Sequence, residues 1–245
     1  MSATQPDNAN KSPAHNSLVR DAGAPPAGLR VDGVALVRGG RLVQNALSLA
    51  MVAGKVTLLR GPNGSGKSTL LRTIAGRLPA AAGTIECDVP VLYIGHADGL
   101  SPALTGRQNL ADWAMLNGLA NDDAAIDAAL DRMQARPFAD LPVRRLSHGQ
   151  RRRVALARLT LGPSSALWLL DEPNSGLDAA SSIALDDLIS DHLEGGGMVL
   201  AATHLPLGPA KPQVAPQLYL ERAHAMSSST SVRGLCVMPS AAIWR

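Results

Sequence analysis

Gly61-Pro62-Asn63-Gly64-Ser65-Gly66-Lys67-Ser68-Thr69 decides how the rest of this chain is read. The segment fits G-x-x-x-x-G-K-S/T, a loop whose backbone N–H groups wrap phosphate. Gly61, Gly64 and Gly66 let the backbone turn tightly, so that successive amides converge on a β-phosphate at a helix N-terminus. Lys67 is expected to add a point charge toward the β- and γ-phosphates, and Ser68 can ligate Mg²⁺. The whole chain holds only four lysines, so a lysine at this place is not a by-product of a basic composition.

The flanks supply the context that the loop needs. Val56-Thr57-Leu58-Leu59 is an apolar run that reads as a strand and feeds the glycines. Behind them Leu70, Leu71, Ile74 and Leu78 recur at helical spacing, which predicts a helix from Lys67 to about Arg77. Further on, Ala166-Leu167-Trp168-Leu169-Leu170 is continuously apolar, as a strand buried on both faces requires. A helix over about 179–194 and a strand at Met198-Val199-Leu200-Ala201-Ala202 follow. Strands alternating with helices make this an α/β chain with a mainly parallel sheet.

Between the two halves of that core, about 105–136 reads as helical. Thr105 and Gln108 have capping-box spacing. Asn121 is placed to cap a second helix, on which Ile126, Leu130 and Met133 share one face. Asp122, Asp123 and Asp127 lie near its start, where the helix dipole favours them. The expected organisation is a disordered lead over 1–28, a nucleotide-binding domain over 29–207 with a helical subdomain at about 104–160, and a C-terminal strand and flexible tail over 208–245. Leu218-Tyr219-Leu220 is the strand expected in that last part.

Bulk properties narrow the class. With 245 residues, 46% of them apolar, the chain can bury a real core. A net charge of +3 is too slight to identify a binder of long nucleic acids. Cys87 and Cys236 form neither a C-x-x-C pair nor a metal-like spacing, so no disulfide framework is expected. The first residues lack the apolar core of a secretory signal, and no run of eighteen apolar residues exists to span a bilayer.

Asp171-Glu172 directly follows the buried strand, at the carboxyl end where open α/β sheets place ligands. Asp171 is expected to hold Mg²⁺ through water, and Glu172 to orient and polarise an attacking water. Leu146-Ser147-His148-Gly149-Gln150 then makes the reading specific, because it resembles the LSGGQ signature of the ATP-binding cassette (ABC) ATPases, departing only at His148. Ser175-Gly176-Leu177-Asp178 resembles that family's D-loop, and His204 its switch histidine. The resemblance spans roughly residues 30 to 205. It implies a P-loop NTPase fold with a RecA-like parallel core, antiparallel N-terminal strands and an inserted helical subdomain.

The same resemblance implies ATP and Mg²⁺ as cofactors. It implies a homodimer in which Ser147, His148, Gly149 and Gln150 of one copy cap the nucleotide held by residues 61–69 of the other, with Asp178 beside it. It makes Glu172 and His204 the catalytic pair. Two departures stand out: residues 92–98 carry no glutamine where the family has one, leaving His96 or Asp98 to face metal or water, and Arg38 stands where an aromatic often meets adenine.

Tyr93-Ile94-Gly95-His96, Leu104-Thr105, Asn109-Leu110, residues 142–159 and Thr203-His204-Leu205-Pro206-Leu207 look like the ATP-binding subunit of the heme exporter of bacterial cytochrome c maturation. That branch implies a peripheral ATPase on the cytoplasmic face of the inner membrane, working against an integral membrane subunit whose surface meets residues 96–120. ATP hydrolysis there drives heme export or release of a heme-loaded chaperone. Another small ABC transporter is the nearest alternative. Arg151, Arg152 and Arg153 leave open a solvated basic face for nucleic acid in a non-transport ABC ATPase, although no nucleic acid is expected in the preferred reading.

Overall fold

The computed structural model describes residues 28–205, 207, 217–221 and 243–244. The lead expected over 1–28, apart from Gly28, lies outside them, as do Cys236 and most of the tail expected over 208–245.

An antiparallel hairpin comes first, formed by β1 (Leu29–Arg38) and β2 (Arg41–Met51) around Gly39-Gly40. β3 (Val56–Arg60) runs into the glycine loop and α1 (Lys67–Ile74). β4 (Ala82–Cys87), not expected from the sequence, then returns to the other edge of β1 and completes a small antiparallel sheet in the order β2-β1-β4. β5 (Val91–Ile94) leads to three helices, α2 (Gly106–Leu116), α3 (Asp123–Arg132) and α4 (His148–Ala157). The core resumes with β6 (Leu167–Asp171), α5 (Ala179–Glu194) and β7 (Met198–Ala202). Two short edge strands, β8 (Gln217–Tyr219) and β9 (Ile243–Trp244), complete the described part, β9 also unforeseen. Among the described residues the larger sheet runs β8-β3-β7-β6-β5-β9, and every pairing in it is parallel.

The apolar runs are explained by what covers each face. Leu167 and Leu169 of β6 pack toward α1 and the small sheet, while Trp168 and Leu170 pack toward α5 and the helical insert. β7 divides in the same way, with Leu200 on one side and Val199 and Ala201 on the other. Side chains alternate across a strand, so burial on both faces demands apolar residues at every position. Each such leucine contributes roughly 1.5–3 kcal/mol of transfer free energy.

The helical insert is set by its caps. Thr105 Oγ1 accepts from the Gln108 amide at 3.1 Å, and Gln108 Oε1 accepts from the Thr105 amide at 2.9 Å, forming the expected capping box. The second cap differs from expectation: Asp122, not Asn121, accepts from the Ala125 amide at 2.9 Å. A carboxylate meets the positive end of the helix dipole better than a neutral amide does, and Asp122 stands one residue closer to the first turn. Ile126, Leu130 and Met133 all lie fully buried on the inner face, as their spacing predicts. Asp127 joins the helices by ion pairs to Arg107 at 2.6 Å and Arg136 at 2.7 Å.

Near the amino end of β6, the Trp168 ring stacks on His192 of α5, with centroids 3.6 Å apart and planes within 8°. His192 Nε2 meets the Ala166 carbonyl at 2.9 Å. Burial pushes the His192 imidazole below its ordinary value, against the opposing pull of the Ala166 and Met198 backbone. The folded state therefore holds this ring neutral, while the unfolded state takes up a proton below about pH 6.5. The stability that His192 contributes is present above that pH and is lost as pH falls through the folded value. Urea midpoints at about pH 7.5 and 5.5 should show a steeper loss in the wild type than in His192→Phe.

Candidate functional site

At the carboxyl ends of β3 and β6 the glycine loop and the acidic pair meet. Gly61, Gly64 and Gly66 take φ values of 133°, 83° and 99°, a region that side chains bearing a Cβ rarely enter. A cavity of about 440 Å³ opens here, lined by Asn63, Lys67, Ser68, Thr69, Asp171 and Glu172, among others. Lys67 lies buried beneath the loop, donating to the Gly61 carbonyl at 2.7 Å and the Pro62 carbonyl at 3.1 Å. Pro62 and Ser65 shape the loop from behind, and the buried Ser65 amide donates to Pro62 O at 3.2 Å.

Ser68 and Asp171 are brought together across 103 positions of sequence, the Ser68 hydroxyl donating to Asp171 Oδ1 at 3.0 Å. Asp171 is only 3% exposed, and its Oδ2 has no hydrogen-bond partner. A buried carboxylate oxygen without a partner costs about 1–3 kcal/mol or more. A serine hydroxyl beside such an oxygen, at the mouth of a phosphate loop, is the oxygen-donor set that a small divalent cation takes along with phosphate oxygens and water. The residues present therefore fit Mg²⁺.

Glu172 stands one residue further and carries a backbone outlier. Its φ is +49°, in the left-handed region, where a non-glycine residue stores on the order of 1–3 kcal/mol of strain. Its amide donates to the Ala202 carbonyl at 2.8 Å, which holds the turn to the end of β7. His204 follows β7, and its Nε2 lies 3.5 Å from Glu172 Oε1. Arg60, at the end of β3, donates to the carbonyls of Thr203 and Leu205 and so fixes the loop that presents His204. Arg38 and Arg41, the two ends of the Gly39-Gly40 turn, line the same cavity. His96 lines it too, whereas Asp98 is drawn away by Arg152.

The signature residues do not line this cavity in the same chain. They form the first turn of α4: Ser147 Oγ accepts from the Gln150 amide at 3.2 Å, and Gln150 Oε1 accepts from the Ser147 amide at 2.8 Å. The signature is thus a capping box, with the S-x-x-Q spacing already present in the sequence. Ser147 is exposed and keeps its hydroxyl proton for another acceptor. Asp178 caps α5 by accepting from the Ser181 amide at 2.8 Å, and the Ser181 hydroxyl, followed by that amide, holds its carboxyl below the usual range. Gly149 and His148 both abut Gly176, whose φ is +77°.

Three arginines behind the signature turn out differently from a solvated basic face. Arg152 is 1% exposed and reaches five backbone and side-chain oxygens. Arg151 donates to the Leu146 carbonyl, and Arg153 stacks over the Phe138 ring at 4.7 Å while donating to the Gln134 carbonyl. The buried role of Arg152 is not visible in the motif itself. Helical spacing is the signal that carries it, because Ala155 and Leu156, three and four residues beyond Arg152, are apolar and buried.

A glycine loop on a helix start, a carboxylate pair on the next buried strand but one and a histidine beyond it define a P-loop nucleotide-binding cassette. Among protein families, the ABC transporter model matches residues 44–175. The CcmA cytochrome c biogenesis ATP-binding export protein of Cereibacter sphaeroides is 46% identical over 187 residues, 76% of this chain and 87% of that protein. Its namesake in Rhodopseudomonas palustris is 46% identical over 185 residues, covering 72% and 91%. That of Cupriavidus pinatubonensis is 42% identical over 210 residues, covering 81% and 91%. The chain belongs to the ABC transporter family, as an ATP-binding subunit with ATPase function. Two solved structures share its fold. The ATP-binding cassette MJ0796, a dimer bound to ADP and Pi, has a TM-score of 0.67 and 22% identity, covering 84% of this chain and all of that one. A putative ABC transporter ATP-binding protein from Pyrococcus furiosus has a TM-score of 0.67 and 21% identity, covering 78% and 96%.

The contact at Gly176 gives a test of local packing. A Cβ built there would fall 2.2 Å from His148 Cδ2, on a backbone already at positive φ. Gly176→Ala should destabilise the protein by at least about 1–2 kcal/mol from the backbone conformation alone. Adding His148→Ala should recover the part due to collision, which chemical denaturation of the two variants will separate.

Proposed function

We propose that two copies of this chain clasp two ATP molecules, each held by residues 61–69 of one copy and by Ser147, His148, Gly149 and Gln150 of the other. The observation that carries this reading is the convergence of Lys67, Ser68, Asp171 and Glu172 on one cavity, with His204 3.5 Å from Glu172 and the exposed capping turn of α4 left to face another molecule. Lys67 exchanges its carbonyl partners for phosphate oxygens, and the α1 amides meet the β-phosphate. Ser68 and Asp171 hold Mg²⁺, which when bound neutralises charge on the β- and γ-phosphates. Glu172 takes the proton of the attacking water, and His204 steadies its carboxylate and the γ-phosphate. Asp178 acts across the pair beside the opposite loop. Closing the two copies excludes water from the site, and hydrolysis reopens it.

The work done with that cycle is read from the relatives, whose names place them in cytochrome c biogenesis as export proteins. We assign this chain the same role. It powers heme export, or release of a heme-loaded chaperone, from the cytoplasmic face of the bacterial inner membrane. No described helix is long and apolar enough to cross a membrane, so an integral partner subunit supplies the path. Its landing place is the end of α2, where Met115 is 60% and Leu116 80% exposed within the stretch 96–120. An apolar pair at a helix end favours burial against a partner.

Glu172→Gln keeps the shape of the side chain and removes its basicity. It should bind ATP as the wild type does, lower turnover by about a hundredfold or more and accumulate an ATP-bound dimer on a sizing column. Wild-type phosphate release by this variant would remove Glu172 from its role. Met115→Asp with Leu116→Asp should leave the ATPase of the isolated protein unchanged and abolish its recovery with membranes, read by fractionation of cells carrying each form.

A further inference from the structure

Arg152 reaches out of the first turns of α4 and joins two segments that are far apart in sequence. Its Nη1 donates to the Gly95 carbonyl at 2.8 Å and to Asp98 Oδ1 at 3.2 Å, both in the loop after β5. Its Nη2 donates to the carbonyls of Asp171 and Glu172, each at 3.0 Å, and its Nε to that of Pro173 at 3.1 Å. Five acceptors around one planar fork leave no geometry that an ammonium could copy. A guanidinium this deeply buried also needs an anion nearby, and among the described residues Asp98 is the carboxylate that supplies it.

Asp98 is itself nearly enclosed, with 11% of its side chain exposed. A second buried arginine, Arg158, donates to the carbonyls of Asp98 and Gly99 at 3.1 and 2.8 Å. The loop over 95–99 is therefore pinned by two guanidiniums, and it is the segment that leads from β5 into the helical insert. It is also the segment in which this chain has no glutamine. At the other end of Arg152 lies the left-handed turn at Glu172, whose carbonyl Nη2 holds while Ala202 holds its amide.

We propose that Asp98 and Arg152 form a positioning pair: Asp98 fixes the guanidinium, and the guanidinium fixes the backbone that aims Asp171 and Glu172. The pair thereby connects the start of the helical insert, the signature helix and the carboxylates through one side chain. This inference rests on the ATPase reading above, in which those carboxylates act on metal and water.

The test uses the full chain with Asp98→Asn, which keeps size and acceptor but removes the charge, and Asp98→Glu, which restores it. A fluorescent ATP titration reports binding by the glycine loop, phosphate release reports kcat, and a Mg²⁺ titration reports the metal requirement. Asp98→Asn should bind nucleotide within about twofold of the wild type, lose about tenfold or more in kcat and need more Mg²⁺ for half-maximal rate. Asp98→Glu should return kcat to within about threefold of the wild type. A wild-type kcat and Mg²⁺ requirement in Asp98→Asn would overturn this inference alone. So would a parallel loss of binding, melting temperature and turnover in both variants, because the pair would then only hold the fold. A wild-type chain that binds ATP and never releases phosphate would overturn the ATPase reading along with it.

Discussion

A sheet covered on both faces has only the ends of its strands left for polar chemistry. β6 shows this most plainly: all five of its residues are buried, and the polar Asp171 sits at the point where the strand leaves its cover. Parallel pairing with β7 and β5 aligns those ends, so the last residues of neighbouring strands arrive at one rim. The glycine loop joins them because β3 pairs parallel with β7. Burial of apolar surface thus does more than stabilise the domain. It forces Ser68, Asp171, Glu172 and His204 into one place without any direct instruction for them to meet.

Much of this is legible in the residues. The loop at 61–69 requires a strand before and a helix after it, and β3 and α1 are that strand and helix. The range of α5 and that of β7 match their sequence patterns, because an acidic cap at Asp178 and glycines at 195–197 punctuate them. β4 is hidden for a physical reason. Its residues alternate exposure within Ala82-Gly83-Thr84-Ile85-Glu86-Cys87, and only Ile85 and Cys87 point inward, too few for a periodic signal. β9 spans two residues and carries no pattern of its own.

Within the site, single-residue chemistry is easier to foresee than partnership. Asp171 and Glu172 are recognisable from their place after an apolar run. That Glu172 bends into a left-handed turn depends on amide and carbonyl partners at Ala202 and Arg152, which come from distant elements. Along the chain Arg152 is one of three adjacent charges, and only its surroundings distinguish it from Arg151 and Arg153. By position alone either His96 or Asp98 faces metal or water, yet a buried guanidinium on α4 claims Asp98. Long-range electrostatic partners leave no trace in local spacing.

The His148 ring lies where a side chain on Gly176 would have to go, and a Cβ on Gly149 would strike the Gly176 carbonyl at 2.4 Å. The first turn of α4 and the turn before α5, from separate parts of the chain, are therefore seated against each other with no slack between them. A tilt of α4 has no room to occur without displacing the turn that begins α5, like meshed teeth. In the proposed pairing with a second copy, the signature turn and the turn before α5 are therefore presented as one unit.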